Sequence, residues 1–156
     1  MKRARHFALI AALLLPHICL PEPALSEVEG ADVGLFAQTA YQPKFPGDPA
    51  HSDAEAAALG YMRTVASAQR EYKKRHGAYA KTLRELVGSV SFTRRMIKTD
   101  RGDYTVKFQS TGKDYWLAMV PRQFDAAHRA FYMDDSGVIR AEADKLATKE
   151  SPPVKS

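Results

Sequence analysis

A long amphipathic helix pattern, followed by segments of alternating polar and apolar residues, most limits how this chain can fold. The helix pattern begins at Ser52, where Ser-Asp-Ala-Glu predicts a capping box. In such a box the serine hydroxyl and the side chain of Glu55 satisfy free backbone amides. Apolar residues then recur every three or four positions up to Gly77, which favours the left-handed geometry that ends helices. We expect one helix over 52–76, about 37 Å long at 1.5 Å per residue.

The second half of the chain changes to a period of two. Residues 104–109 alternate between apolar and polar, which predicts a half-buried strand. Further strands are predicted at 115–120, 129–134 and 138–142. Short turns separate them, with Asp-Ser-Gly at 135–137 typical of a hairpin. Such short connections imply antiparallel neighbours.

The connection between the helix and the strands has a weaker pattern. Residues 82–87 predict one or two helical turns, because a leucine pair and a valine recur there at helical spacing. Residues 88–102 fit either a short helix or a loop. We favour a short helix around 92–98.

A helix and a sheet with one apolar face each can bury those faces only against one another. The sequence therefore predicts an α+β domain, in which one long N-terminal amphipathic helix packs on a three- to four-stranded antiparallel sheet. The 156 residues, 45% hydrophobic and 26% charged, suit a single globular domain over 52–143. The polar, proline-containing residues 144–156 predict a disordered tail.

The first 26 residues have the composition of a secretory signal peptide. Lys2, Arg3 and Arg5 precede a short apolar run, and prolines and small residues follow it. The run is shorter than the roughly 20 apolar residues that cross a bilayer, so we expect membrane contact only if this segment stays uncleaved. Residues 27–51, rich in proline and glycine, predict a linker or loosely packed arm. We therefore expect an exported protein, periplasmic or extracellular.

Two stretches resemble the globular part of type IV pilins and of the major pseudopilins of type II secretion. Residues 57–87, AALGYMRTVASAQREYKKRHGAYAKTLRELV, are similar to the C-terminal half of the pilin helix, followed by a Gly-x-Tyr segment and a leucine pair. Residues 114–140 contain YWLAMVPRQ and YMDDSGVIR, which resemble the closing strands of pilin-like proteins. The resemblance implies a pilin-like fold and a non-catalytic structural or interaction role. The implied partner is a protein of the cell envelope or of a secretion or pilus system.

The N-terminal region departs from the family pattern. A prepilin resembling that family carries a glycine before a phenylalanine, and a glutamate five positions into a hydrophobic helix. Here His6 precedes Phe7, and Ala11 stands where the glutamate would be. The predicted helix begins instead at Ser52, after the proline-rich arm. These differences indicate a pilin-like domain detached from its assembly helix.

The sequence contains no recognisable catalytic, cofactor or metal motif. Cys19 is the single cysteine, which excludes a disulfide framework and a cysteine-based zinc site. No nucleophile elbow, zinc-protease or glycine-rich phosphate motif occurs. Asp134 and Asp135 could supply calcium ligands, although Asp-Asp-Ser-Gly also meets the needs of a tight turn. We assign no catalytic residue, cofactor or metal ligand, and a small hydrolase with an unrecognised site remains an alternative.

Positive charge is concentrated between Arg70 and Arg101, where ten basic residues stand against three acidic ones. Aromatic residues are interleaved with them, a pattern that suits binding of nucleic acid or another polyanion through phosphates and stacking. The favoured interpretation is a solvated surface together with a helix C-terminus that attracts cations. The candidate polyanion-binding residues are Lys73, Lys74, Arg75, Arg94, Arg95, Lys98 and Arg101.

Four large aromatic residues fall in the predicted strands. We expect Tyr104, Tyr115, Trp116 and Tyr132 to pack on faces of the sheet. Because only one face can meet the helix, some of them should stay accessible to a partner.

Overall fold

The computed structural model describes residues 41–155, and the predicted signal peptide lies outside them. One α-helix is followed by one sheet of five antiparallel strands, which confirms the α+β class. The strands lie in the sheet in their order along the chain. The elements are α1 (Asp53–His76), β1 (Asp100–Arg101), β2 (Tyr104–Ser110), β3 (Tyr115–Pro121), β4 (Ala130–Asp134) and β5 (Ile139–Glu142).

The start of α1 matches the predicted capping box. The Ser52 hydroxyl accepts the N–H of Glu55 at 3.1 Å, as expected. The Glu55 carboxylate also satisfies a free backbone amide before the helix, as expected, although this amide belongs to His51 and not to Ser52. It accepts the N–H of His51 at 2.8 Å and binds the side chain of Arg129, with Nη2 and Oε2 2.7 Å apart. The charged guanidinium of Arg129 holds the carboxylate in this position, because charge-assisted hydrogen bonds are stronger than neutral ones.

The end of α1 follows its local sequence. Gly77 has a φ of 75° and its N–H donates to the carbonyl of Lys73 at 2.8 Å. A side chain at this position would be strained, which explains why glycine ends the helix here.

The core lies between α1 and the inner face of the sheet. Complete burial of each large apolar side chain contributes about 1.5–3 kcal/mol of transfer free energy. The inner face of the sheet contributes Val106, Leu117, Met119, Phe131 and Met133, and α1 contributes Ala58, Leu59, Tyr61, Met62, Val65, Ala66 and Ala68.

The sheet has five strands where the sequence predicts three to four. The additional strand is β1, whose two residues pair with Thr105 and Tyr104 of β2. Two residues are too few to show an alternating pattern, so the sequence carries no signal for this strand. The two helical pieces before it are 3-10 turns, at Leu83–Leu86 and Arg94–Ile97, near the predicted positions.

Residues 41–52 precede α1 and pack against the domain, so the helix does not open the described region. Ala50 is buried in the core, and Tyr41 packs against it. The hydroxyl of Tyr41 donates to Asp48, whose other carboxylate oxygen accepts the N–H of Ala50. This part of the predicted arm over 27–51 therefore has defined contacts.

Residues 147–154 of the predicted disordered tail, 144–156, have defined contacts with the sheet, so that prediction is wrong for them. The N–H of Val154 donates to the carbonyl of Ile139 at 2.9 Å, beside β5. The hydroxyl of Ser151, which is buried, donates to Glu142 at 2.7 Å. The segment covers backbone groups that an exposed edge strand leaves unpaired.

Candidate functional site

The seven candidate polyanion-binding residues fall into two groups. Arg75 of the first group and Tyr61, which contacts Arg101 of the second, lie about 21 Å apart along α1 at 1.5 Å per residue. Arg75 contacts Ser89, whereas Tyr61 contacts Met96, so the connecting segment runs back beside α1. The first group is Lys73, Lys74 and Arg75 in the last turn of α1, and the second is Arg94, Arg95, Lys98 and Arg101.

The first group has local partners. The ammonium of Lys73 lies 4.1 Å from the centre of the Tyr79 ring, within cation–π range. The guanidinium of Arg75 lies 3.3 Å from the carboxylate of Glu71 and also donates to the hydroxyl of Ser89. These contacts fit the solvated helix end that the sequence favours, since cations there complement the free carbonyls.

Three of the four residues of the second group line a cavity of about 330 Å³. Arg95, Lys98 and Arg101 line it, whereas Arg94 does not. Asp100 is the one carboxylate in the lining, and it is paired with Arg122 at 2.7 Å. The local balance of charge is therefore positive, and guanidinium groups bind phosphate and carboxylate oxygens in pairs.

Tyr61 of α1 holds the segment that lines this cavity. Its hydroxyl donates to the carbonyl of Met96 at 3.0 Å, which fixes the 3-10 turn that carries Arg95. The guanidinium carbon of Arg101 lies 4.2 Å from the centre of its ring. Burial raises the pKa of Tyr61 to about 12, although the charge of Arg101 acts in the opposite direction. The hydroxyl therefore stays a neutral donor at neutral pH.

The aromatic residues of the strands divide between the two faces of the sheet. Tyr104 and Tyr115 face α1 and are buried. Trp116 and Tyr132 are half-buried on the outer face, with their ring centres 6.3 Å apart and an interplanar angle of 19°. As expected, the aromatic residues pack on both faces of the sheet: two lie in the core and two remain partly accessible on the outer face.

A second cavity, of about 260 Å³, lies on the outer face of the sheet. It forms where two alanines, Ala118 and Ala130, leave room between larger neighbours. Leu146 and Ala147, from the segment predicted to be a tail, form part of its wall. The lining is mainly apolar, so this cavity suits an apolar group rather than a charged one.

His128 and Asp134 make contacts with neighbouring loop residues. His128 contacts two carboxylates, with Nδ1 2.8 Å from Asp125 and Nε2 3.5 Å from Asp103. A single oxygen of Asp134 accepts both the N–H and the hydroxyl of Ser136, as a tight turn requires. Among residues 41–155, no three or more histidine, cysteine, aspartate or glutamate side chains are grouped to hold a metal ion.

The sequence does not identify Tyr61 and Asp100 as residues that shape the cavity between the cations of the second group. Tyr61 lies within the predicted helix, but its role in holding the 3-10 turn depends on a contact with Met96, 35 residues later. Asp100 belongs to the two-residue strand that has no sequence signal. The interleaving of aromatic and basic residues indicates that this segment could bind a ligand. It does not show how the segment runs across the surface.

Comparison of the chain with models of protein families, with curated proteins and with solved structures gives no match. Over 41–155, no helix is long and apolar enough to cross a membrane.

Proposed function

We propose that the protein is an exported, non-catalytic interaction module with a pilin-like fold. It would bind a protein of the cell envelope or of a secretion or pilus system. The observation that carries the proposal is the division of the sheet. Most large side chains of the inner face are buried in the core, whereas Trp116 and Tyr132 are only half-buried on the outer face. Paired aromatic residues on an accessible face are typical of surfaces that bind proteins.

The order of elements supports the pilin-like part of the proposal. A single long helix precedes a sheet whose strands pair in sequence order, β1 to β5. The sequence resemblance over 57–87 and 114–140 falls on α1 with the turn after it, and on β3 to β5.

The hydrolase alternative has less support in the geometry. A histidine that acts as a general base needs a ring nitrogen directed at the nucleophile. Both ring nitrogens of His128 are instead beside carboxylates, those of Asp125 and Asp103.

Site-specific photo-crosslinking in cells tests the interaction role. A photoreactive phenylalanine analogue replaces Tyr132 on the outer face, and the matched control replaces Thr64, on the side of α1 away from the core. We expect Tyr132 to yield one discrete cross-linked envelope protein and Thr64 to yield none. Equal labelling from both positions, or no product from a folded and exported chain, would contradict the proposal.

A second candidate function, polyanion binding, is favoured by the cavity that Arg95, Lys98 and Arg101 share. Titration with duplex DNA and with heparin at several salt concentrations tests it. We expect affinity to fall as the salt concentration rises, because the cationic side chains displace counterions from the polyanion when they bind it. Arg95→Glu should weaken binding more than Arg94→Glu, since only Arg95 lines the cavity. Affinity that is independent of salt would exclude this function.

A further inference from the structure

The edge of the sheet at β2 is only partly covered. β1 pairs with Tyr104 and Thr105, and the N–H of Val106 donates to the carbonyl of Thr99 at 2.7 Å. Backbone groups of alternate residues in a strand point to the same edge, so those of Phe108 also point away from β3. Within residues 41–155, no strand pairs with Phe108 on that side.

A groove of about 680 Å³ runs beside this open edge. Its apolar lining includes Leu83, Ile97 and Phe108, contributed by both 3-10 turns and by β2. The groove thus presents apolar surface next to backbone groups that are available for pairing. This is the combination by which domains bind an extended peptide as an additional strand.

The charge of the groove identifies the kind of peptide that fits. Lys81, Arg84 and Lys107 line it, and none of its lining residues carries a carboxylate. The nearest acidic group on the same turn, Glu85, is bound by the N–H of Lys81 and the hydroxyl of Thr82, both at 3.0 Å. Three cations without acidic partners in the lining complement a negatively charged ligand.

We propose that this groove binds an extended acidic peptide segment of a partner protein, which pairs with β2 beside Phe108 and continues the line of β1. Carboxylates of the segment face Lys81, Arg84 and Lys107. Its apolar side chains pack on Leu83 and Ile97. The inference deepens the proposed interaction role and rests on it, but it does not depend on export or on pilin-like ancestry.

Titration of the full chain with a synthetic peptide tests the charge preference. The probe is an eight-residue peptide of alternating glutamate and valine with blocked ends, and its control replaces each glutamate with lysine. Trp116 lines the groove and is the single tryptophan, so its fluorescence reports binding. We expect saturable binding of the acidic peptide and at least about tenfold weaker binding of the basic one. Equal binding of both, or no binding of the acidic peptide, would overturn the proposal.

Backbone methylation of the probe tests strand pairing. In an extended peptide all glutamate N–H groups point to one edge and all valine N–H groups to the other. We therefore expect one of two peptides, N-methylated at every glutamate or at every valine, to bind about tenfold more weakly than the parent. If both methylated peptides bound as well as the parent, pairing with β2 would be excluded.

Charge reversal in the protein tests the position of the site. Arg84→Glu with Lys107→Glu should weaken binding of the acidic peptide at least about tenfold. Lys74→Glu, on an exposed part of α1, should change it less than about twofold. Arg84→Glu alone lies on an exposed turn and provides the same test if the double variant does not fold. Equal effects of Arg84→Glu and Lys74→Glu would contradict the proposed site.

The failure of this inference differs from the failure of the proposed function. A cross-link from Tyr132 to an envelope protein without binding of the acidic peptide would leave the interaction role intact and remove the groove as its site. Peptide binding without any cross-link would support the groove and count against the outer face.

Discussion

The two ends of α1 are held to the rest of the domain by different chemistry. At the N-terminal end, the carboxylate of Glu55 is completely buried and accepts the backbone N–H of Arg129 at 2.9 Å and its Nε at 3.0 Å. At the C-terminal end, the neutral amide of Gln69 pairs with Ala80, accepting its N–H at 2.9 Å and donating to its carbonyl at 3.1 Å. A buried ion pair is costlier to break than a neutral pair, because a charge is left without a partner.

The two contacts also differ in the sequence separation of their partners. Glu55 and Arg129 are 74 residues apart, whereas Gln69 and Ala80 are 11 apart. The first contact joins α1 to the start of β4, and the second needs only the turn that follows α1. The C-terminal end of α1 is therefore stabilised by local sequence, while the N-terminal end depends on the completed sheet.

The largest expected effect comes from breaking the ion pair. Arg129→Met leaves the Glu55 carboxylate buried without its guanidinium, and should lower the free energy of unfolding by about 3–5 kcal/mol. Urea unfolding followed by circular dichroism measures the loss. The matched control is Arg122→Met, which removes an exposed pair with Asp100 and should cost less than about 1 kcal/mol.

A double substitution sharpens this result. Glu55→Met together with Arg129→Met should recover much of the lost stability, because neither side chain leaves an unpaired charge. If Arg129→Met and Arg122→Met cost the same, the N-terminal end of α1 would not depend on the buried pair.

The neutral contact at the other end should matter less. Gln69→Leu leaves the N–H and carbonyl of Ala80 without their side-chain partners, at an expected cost of about 1–3 kcal/mol in the same unfolding measurement. Gln109→Leu, on an exposed position of β2, provides the control. A cost for Gln69→Leu above that for Arg129→Met would reverse the ranking of the two ends.

Two glycines of the helix region form a matched pair. Gly77 has a φ of 75°, so Gly77→Ala should cost about 1–2 kcal/mol. Gly60 lies inside α1 with no heavy atom within 4 Å of an added Cβ, so Gly60→Ala should stabilise by up to about 1 kcal/mol. Thermal unfolding of both variants gives the signs. Equal signs would contradict the local account of the helix end.

The smallest effect concerns the loop beside the start of α1. The N–H of Ala127 and the ring of His128 hold the pKa of Asp125 below its usual value. Because the folded state favours the ionised form, this contribution is present above the unfolded pKa of about 3.9 and is lost as pH falls through the folded value. Asp125→Ala should therefore lower the melting temperature at about pH 7 more than at about pH 2. Asp144→Ala, which is exposed, is the control. A difference that does not change with pH would exclude this role.

Local patterns predict most of the fold. The sequence places β4 and β5 within one residue of their observed bounds, because alternation and the turn between them are properties of adjacent residues. It does not predict β1 or the packing of residues 147–154. Those contacts exist only where β2 and β5 provide an edge, and no local pattern encodes a distant edge.

The candidate site is less predictable than the fold. The sequence identifies Arg95, Lys98 and Arg101 as cations but does not separate them from the group at the end of α1. That separation depends on how Tyr61 holds the connecting segment. The cations beside β2, Lys81 and Lys107, are brought together only when the 3-10 turns pack against the strand.

N-terminal sequencing of the protein from separated cell fractions tests the central claim. This claim is that the protein is an exported module detached from the assembly helix of pilins. The account predicts a chain in the periplasm or the medium whose first residue lies near position 27. A chain that keeps Met1 and stays in the cytosol would contradict it.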